Sequence, residues 1–263
     1  MELNLKGKRA VVASSSRGLG YAIAAGLAHE GANVAINGRN PDSLAKIASE
    51  LGQKYSVECL SLAGDISQPE VPAQLIEKAV EKWGGLDLLV TNSGGPPAGK
   101  FETFNDSDWQ KAIDALFLNH VRMIRAALPY LRQSSAASVL TITSYTVKQP
   151  QPNLVLSNSI RSATIGLTKT LALELGAQGI RMNSILPAWI ATERTRELDQ
   201  FRAQNEDISF DEVRALKARD TALGRIGTPD EFANAAVFLL SPAASYITGA
   251  MLTVDGGLYK GIF

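Results

Sequence analysis

The chain has 263 residues, 45% of them apolar and 20% charged, a mixture that excludes disordered and fibrous classes and leaves enough chain for a sizeable core. Its 26 basic and 26 acidic side chains cancel to zero formal charge. With no basic run to track a phosphate backbone, nucleic acid is excluded as an expected partner.

The chain starts "MELNLKGKRA", which lacks the apolar core of a secretory signal. No apolar run reaches the roughly 18 residues needed to span a bilayer, so a cytoplasmic protein without a membrane partner is expected. Short apolar runs at 9–14, 33–37, 57–63, 86–92, 137–143, 180–186 and 251–255 read as seven strands. Segments 18–30, 41–53, 67–83, 106–132 and 153–177 carry helical apolar spacing between them. Gly31 marks the end of the first helix, Pro41-Asp42 opens the second, and Ser67 is the expected cap of the third. The third strand holds the only cysteine, Cys59, which excludes an intramolecular disulfide and suits a reducing compartment.

The strands are continuously apolar rather than alternating, so both faces of the sheet are covered. The expected architecture is one α/β domain over 1–263: a doubly wound, parallel, seven-stranded sheet of Rossmann type in three layers. Residues 193–221 break the alternation and read as one or two amphipathic helices, placed beyond a strand end where a substrate lid belongs. No metal site is expected.

In "VVASSSRGLGYAIAAGLAHEGANVAINGR" a strand, a tight turn, a helix and a second strand follow one another. Gly18 and Gly20 open the helix, where small residues let a pyrophosphate approach the amide N–H groups and the helix dipole. The second strand ends Ile36-Asn37-Gly38-Arg39, without the carboxylate that would accept from an NAD ribose. Arg17 and Arg39 are instead the pair expected to hold a 2′-phosphate, which makes NADPH/NADP+ the expected cofactor.

With this turn the chain resembles the short-chain dehydrogenase/reductase family, whose turn reads T-G-x-x-x-G-I/L-G. Here it is Ala13-Ser14-Ser15-Ser16-Arg17-Gly18-Leu19-Gly20, so Ser14 stands at the family's first glycine. The resemblance continues through "GDIS", whose Asp65 and Ile66 would flank an adenine, and through "TNSGG", where Asn92 and Gly94 match. Residues 224–257 follow the family's carboxyl-terminal pattern almost throughout. By resemblance the cofactor-binding set is Ser14, Ser16, Arg17, Gly18, Leu19, Gly20, Arg39, Asp65, Ile66, Asn92, Gly94, Arg161 and Thr192. The same resemblance implies a homotetramer.

The family's four catalytic positions fall on Asn119, Ser144, Ser157 and Arg161. Asparagine and serine match; the proton-carrying tyrosine is Ser157 and the lysine four residues on is Arg161. Ser157 and Arg161 lie one turn apart on one helix face. An aliphatic hydroxyl is far harder to ionise than a phenol, and arginine keeps its proton. A replacement acid has four candidates: Arg161 itself, Tyr145 beside Ser144, His120 beside Asn119, or a water relayed through Asn119 and Ser144. His120 reads rather as a hydrogen-bonded core histidine. The "YTVK" spacing, 145–148, is not a displaced Y-x-x-x-K, and Trp189 is a candidate pocket wall.

The first reading is therefore an NADPH-dependent oxidoreductase acting on a small-molecule carbonyl/alcohol pair, with a resemblance to 3-oxoacyl-ACP reductases. A catalytically silent dinucleotide-binding sensor or partner subunit is the second reading. Non-redox, lyase-type chemistry is the third, since halohydrin dehalogenases resemble the family with arginine at the lysine position but keep the tyrosine.

Overall fold

A computed structural model describes residues 1–262. Seven strands form one parallel sheet in the order β3-β2-β1-β4-β5-β6-β7. They are β1 Arg9–Val12, β2 Asn33–Gly38, β3 Cys59–Ala63, β4 Leu88–Thr91, β5 Ser138–Ile142, β6 Arg181–Pro187 and β7 Met251–Val254. Register is set by pairs such as Val12 with Ile36 on one side and Val12 with Val90 on the other. The chain winds outward one way from β1 and then, from β4, the other way. The reversal between β1 and β4 opens a crevice at their carboxyl ends, the usual ligand position in such a sheet.

Period-two alternation builds the two covering layers. Ala10 and Val12 point to one face, where α1 Gly18–His29, α2 Pro41–Tyr55 and α9 Pro229–Leu240 pack with Leu27, Leu44 and Phe232. Val11 and Ala13 point to the other, against α3 Val71–Trp83, α5 Asn119–Leu131 and α6 Val155–Leu175 through Leu75, Met123 and Leu175. Helix α9 is one the apolar spacing did not single out: its "AAVFLL" end is buried nearly all round, so it shows no stripe. It lies close on α1, where a Cβ at Gly26 would stand 3.0 Å from Val237.

The long helix expected over 106–132 is two segments, α4 Asp106–Ile113 and α5, joined by a π-helical stretch Asp114–Leu118. That widened turn sets the direction in which Asn119 leaves the helix. The third helix begins at Val71, not at Ser67. Ser67 does not cap it: four residues short of Val71, it lies in a tight turn where its N–H and hydroxyl both donate to Asp65 Oδ1, at 3.0 and 2.8 Å.

The 193–221 excursion is two helices, α7 Glu193–Glu206 and α8 Phe210–Asp220, each opened by a capping box, Thr192 with Thr195 and Ser209 with Glu212. A fully buried ion pair, Lys217 with Asp199, joins them. Among the described residues no helix is long and apolar enough to cross a membrane.

Candidate active site

A cleft of about 910 Å³ opens at the carboxyl ends of β1, β4 and β5. Its first wall is the turn after β1. Asn37 at the end of β2 shapes this turn: its Oδ1 accepts from the Ser14 N–H at 3.1 Å and its carbonyl from the Ser15 N–H at 2.8 Å. Ser14 is held at φ +47°, the left-handed region that glycine occupies without penalty. The turn therefore keeps the glycine conformation although the residue is serine. Asn92 Nδ2 donates to the Ser14 carbonyl at 3.2 Å, tying the turn to the end of β4. Gly20 packs immediately behind, where a Cβ would stand 2.4 Å from the Ser14 oxygen. No side chain fits there, which is why position 20 must be glycine.

Ser14, Ser16, Arg17, Gly18, Leu19, Arg39, Asp65, Ile66, Asn92, Gly94 and Thr192 all line this cleft. Gly20 does not; it lies one layer back and permits the close approach rather than making it. Arg39 is exposed, and its charge acts on Asp65. Burial raises the Asp65 carboxyl, but the Ser67 N–H and hydroxyl, with Arg39, outweigh it and hold Asp65 below its ordinary range. Arg17 is engaged elsewhere, in an ion pair with Glu193 at the start of α7. Thr192 caps that helix and faces Gly18, with 3.9 Å between its methyl and the place of a Cβ on Gly18.

The opposite wall comes from β5 and α6. Ser144, Ser157 and Arg161 line the cleft, while Asn119 is fully buried behind it. Asn119 Nδ2 reaches the Asn92 carbonyl at 3.5 Å, and its Oδ1 has no partner. Ser144 Oγ accepts from the Thr146 N–H at 3.2 Å and the Thr146 hydroxyl at 3.0 Å, leaving its own proton free to donate. Arg161 is 8% exposed, and its Nη1 donates to the Ile142 and Thr143 carbonyls, both at 3.2 Å. Burial first, and then the Arg194 charge, bring its pKa down to about 10, so it stays cationic at neutral pH.

His120 is a core residue, as its sequence position suggests. Its Nδ1 lies 2.6 Å from Thr91 Oγ1, and burial, with the Arg161 charge, pushes its pKa down to about 3. A neutral imidazole at physiological pH has no proton to spare. Tyr145 does line the cleft, packed edge-on against Trp189 with ring centroids 5.2 Å apart. Burial, and then Asp220, push its phenol well above the ordinary value, and its hydroxyl is buried without a partner. It forms a wall with Trp189, and Lys217 Nζ stands 4.0 Å from the Trp189 ring centroid.

Three contributors escape sequence reasoning. Asn37 shapes the Ser14 turn, Glu193 occupies Arg17, and Arg194 bridges from α7 to the loop after β4, donating to the Pro96 carbonyl at 2.6 Å.

A family profile described as Enoyl-(Acyl carrier protein) reductase matches residues 13–259. The chain belongs to the short-chain dehydrogenase/reductase family. Within that family it is 34% identical over 257 residues to Dehydrogenase/reductase SDR family member 4 of Oryctolagus cuniculus, covering 96% of this chain and 94% of that one. Among solved structures it is similar to L-sorbose reductase from Gluconobacter frateurii in complex with NADPH and L-sorbose, with a TM-score of 0.94, 30% identity and full coverage of both chains. It is also similar to an NADPH-bound short chain oxidoreductase from Pseudomonas aeruginosa PAO1 containing an atypical catalytic center. There the TM-score is 0.88 at 28% identity, with 97% and 99% of the two chains covered.

Proposed function

We propose that this short-chain dehydrogenase/reductase is an NADPH-dependent oxidoreductase that interconverts a carbonyl and an alcohol with Ser157 and Arg161 in place of the family's tyrosine and lysine. The observation that carries this reading is that one cleft joins the Ser14–Gly20 turn to a wall of two hydroxyls and a guanidinium. The turn fits a dinucleotide: Gly20 admits no side chain, Gly94 has open space where a Cβ would be, and β2 ends in Arg39 without an acid. Ser14, Ser16, Gly18 and Leu19 would cradle the phosphates, Arg39 and Arg17 the 2′-phosphate, Asp65 and Ile66 the adenine. Thr192 would bond the carboxamide. When bound, NADPH supplies the hydride for the carbonyl carbon.

The chain's own residues handle the oxygen. Ser144, with its proton free, and Ser157 donate to the carbonyl, and Arg161 stabilises the charge that develops there. The proton is drawn from solvent through the open cleft, because no side chain here is poised to give one. Losing a general acid costs about 10²–10⁴ in rate, while correct placement of the reactants contributes up to about 7–11 kcal/mol. Turnover is therefore slow but real. The α7–α8 pair would serve as the lid, and exposed apolar residues such as Met251 and Leu252 on edge strand β7 support self-association as a tetramer, checked by sedimentation equilibrium.

Spectrophotometric NADPH oxidation across a panel of aldehydes, ketones and oxo acids tests the reading. Turnover that falls about a hundredfold in Ser144→Ala supports it; failure to bind NADPH at millimolar concentration overturns it. The silent, binding-only reading is favoured by the commitment of Arg161 Nη1 to two backbone carbonyls. It predicts NADPH binding without turnover, and activity appearing only in Ser157→Tyr combined with Arg161→Lys.

A further inference from the structure

We propose that Arg161 holds an anionic group of the substrate, so that the natural substrate is a short oxo acid with its carboxylate next to the carbonyl or one carbon away. The inference rests on the carbonyl reductase reading above and names its substrate class.

A buried guanidinium ordinarily has a carboxylate partner, since an isolated buried charge is costly. Arg161 has none among the described residues. Five carboxylates line the cleft, and each is engaged elsewhere. Asp65 accepts from Ser67, Asp108 from the Asn105 N–H, Asp114 from Arg122, Glu193 from Arg17 and Glu197 from Arg194. Arg161 Nη1 is fixed by the Ile142 and Thr143 carbonyls, whereas its Nε and Nη2 groups have no acceptor among the described residues. Three N–H donors in a planar fork thus remain beside a cleft, a geometry suited to two carboxylate oxygens.

Arg194, which also lines the cleft, adds to the field, since its charge acts on Arg161. The dinucleotide phosphates do not account for this cation. Their turn leaves β1, and the anchors of Arg161 leave β5, two strands away or about 10 Å. A ribose at Arg161 offers only neutral hydroxyls, which fill hydrogen bonds without countering charge. The substrate end of the cleft does account for it. Ser157 and Arg161 stand one turn apart, with about 6 Å between Cβ atoms, so an oxygen held by Ser157 and a carboxylate held by Arg161 belong to one short molecule. The overall reaction balances as oxo acid plus NADPH plus one proton giving hydroxy acid plus NADP+, and the carboxylate passes through unchanged.

Calorimetry on NADPH-loaded protein tests this with oxamate and its neutral counterpart oxamide, neither of which is reduced. Oxamate is expected to bind at least about tenfold tighter than oxamide. Arg161→Met should remove that preference while the NADPH dissociation constant, measured separately, changes less than about twofold. Arg194→Gln should weaken oxamate about two- to threefold, more at low salt. Equal affinity for the two probes overturns the proposal. So does an Arg161→Met protein that loses NADPH but keeps the oxamate preference, since Arg161 would then serve the cofactor. Should Arg161→Met fail to fold, an oxamate preference indifferent to both salt and Arg194→Gln is the overturning result. Wild-type protein that binds no NADPH defeats the reductase reading instead, and the same titration of the free protein then decides the anion site alone.

Discussion

At the scale of single residues, Ser14 shows a local rule broken and the fold holding. A serine at φ +47° carries a cost of about 1–2 kcal/mol for the left-handed backbone, partly offset by the greater freedom glycine has when unfolded. Ser14→Gly is expected to stabilise the protein by about 0.5–1 kcal/mol, read as a melting temperature about 1–3 °C higher. Arg17 makes a second case. Its guanidinium is taken by Glu193, an exposed pair of the kind worth about 0.2–1 kcal/mol, so the 2′-phosphate must compete for it. Glu193→Gln should lower the NADPH dissociation constant about two- to fivefold and leave NADH unaffected; equal effects on both would show that Arg17 does not meet the phosphate. Ser157 and Arg161 were legible in the sequence because the flanking helix fixed their register. The Arg17–Glu193 pair was not, since 176 residues separate the two and only the path of α7 brings them together.

At the scale of elements, the α7–α8 pair depends on one buried contact. The sequence showed its amphipathic helices and their place as a lid, but not which of their many charges would be buried. Asp199 and Lys217 are 1% and 3% exposed and bind each other. Burial pulls Lys217 below its ordinary pKa, and Asp199 pulls it back. Removing one partner leaves a lone buried charge, so Asp199→Ala should cost about 3–5 kcal/mol, measured by thermal denaturation. The double change Asp199→Leu with Lys217→Met should recover most of that loss. Periodicity failed in opposite ways at α9 and at the π-helical stretch before Asn119. The first is buried on too many sides to show a stripe, and the second keeps its helical pattern through a widened turn that pattern cannot reveal. Ser67 looks like a cap in the sequence because a serine precedes a helical pattern, but the helix starts four residues later, beyond the reach of its hydroxyl oxygen.

For the whole molecule, strand number and parallel direction followed from seven continuous apolar runs, whereas the strand order, and with it the crevice between β1 and β4, comes from the winding that the structure shows. What linear pattern does not carry is how deeply individual polar groups are enclosed. His120 reads in the sequence as a core histidine, and the structure shows how far that enclosure goes: it is wholly buried, with its pKa at about 3. Between pH 6.5 and about 3 the unfolded chain takes up a proton there and the native one does not. Stability must therefore fall as pH drops through that window. His120→Asn, which can keep a hydrogen bond to Thr91, should flatten this part of the melting-temperature profile; an unchanged slope would place the proton uptake elsewhere.

The contacts of Trp189 with Tyr145 and with Lys217 have an optical consequence. An indole pressed against an ammonium group emits differently from one in water, and this one joins the cleft wall to α8. With Trp83 and Trp109 changed to phenylalanine, Trp189 becomes the sole emitter of the three tryptophans. Its spectrum then reports, without any turnover, whether α8 lifts away when the cleft fills.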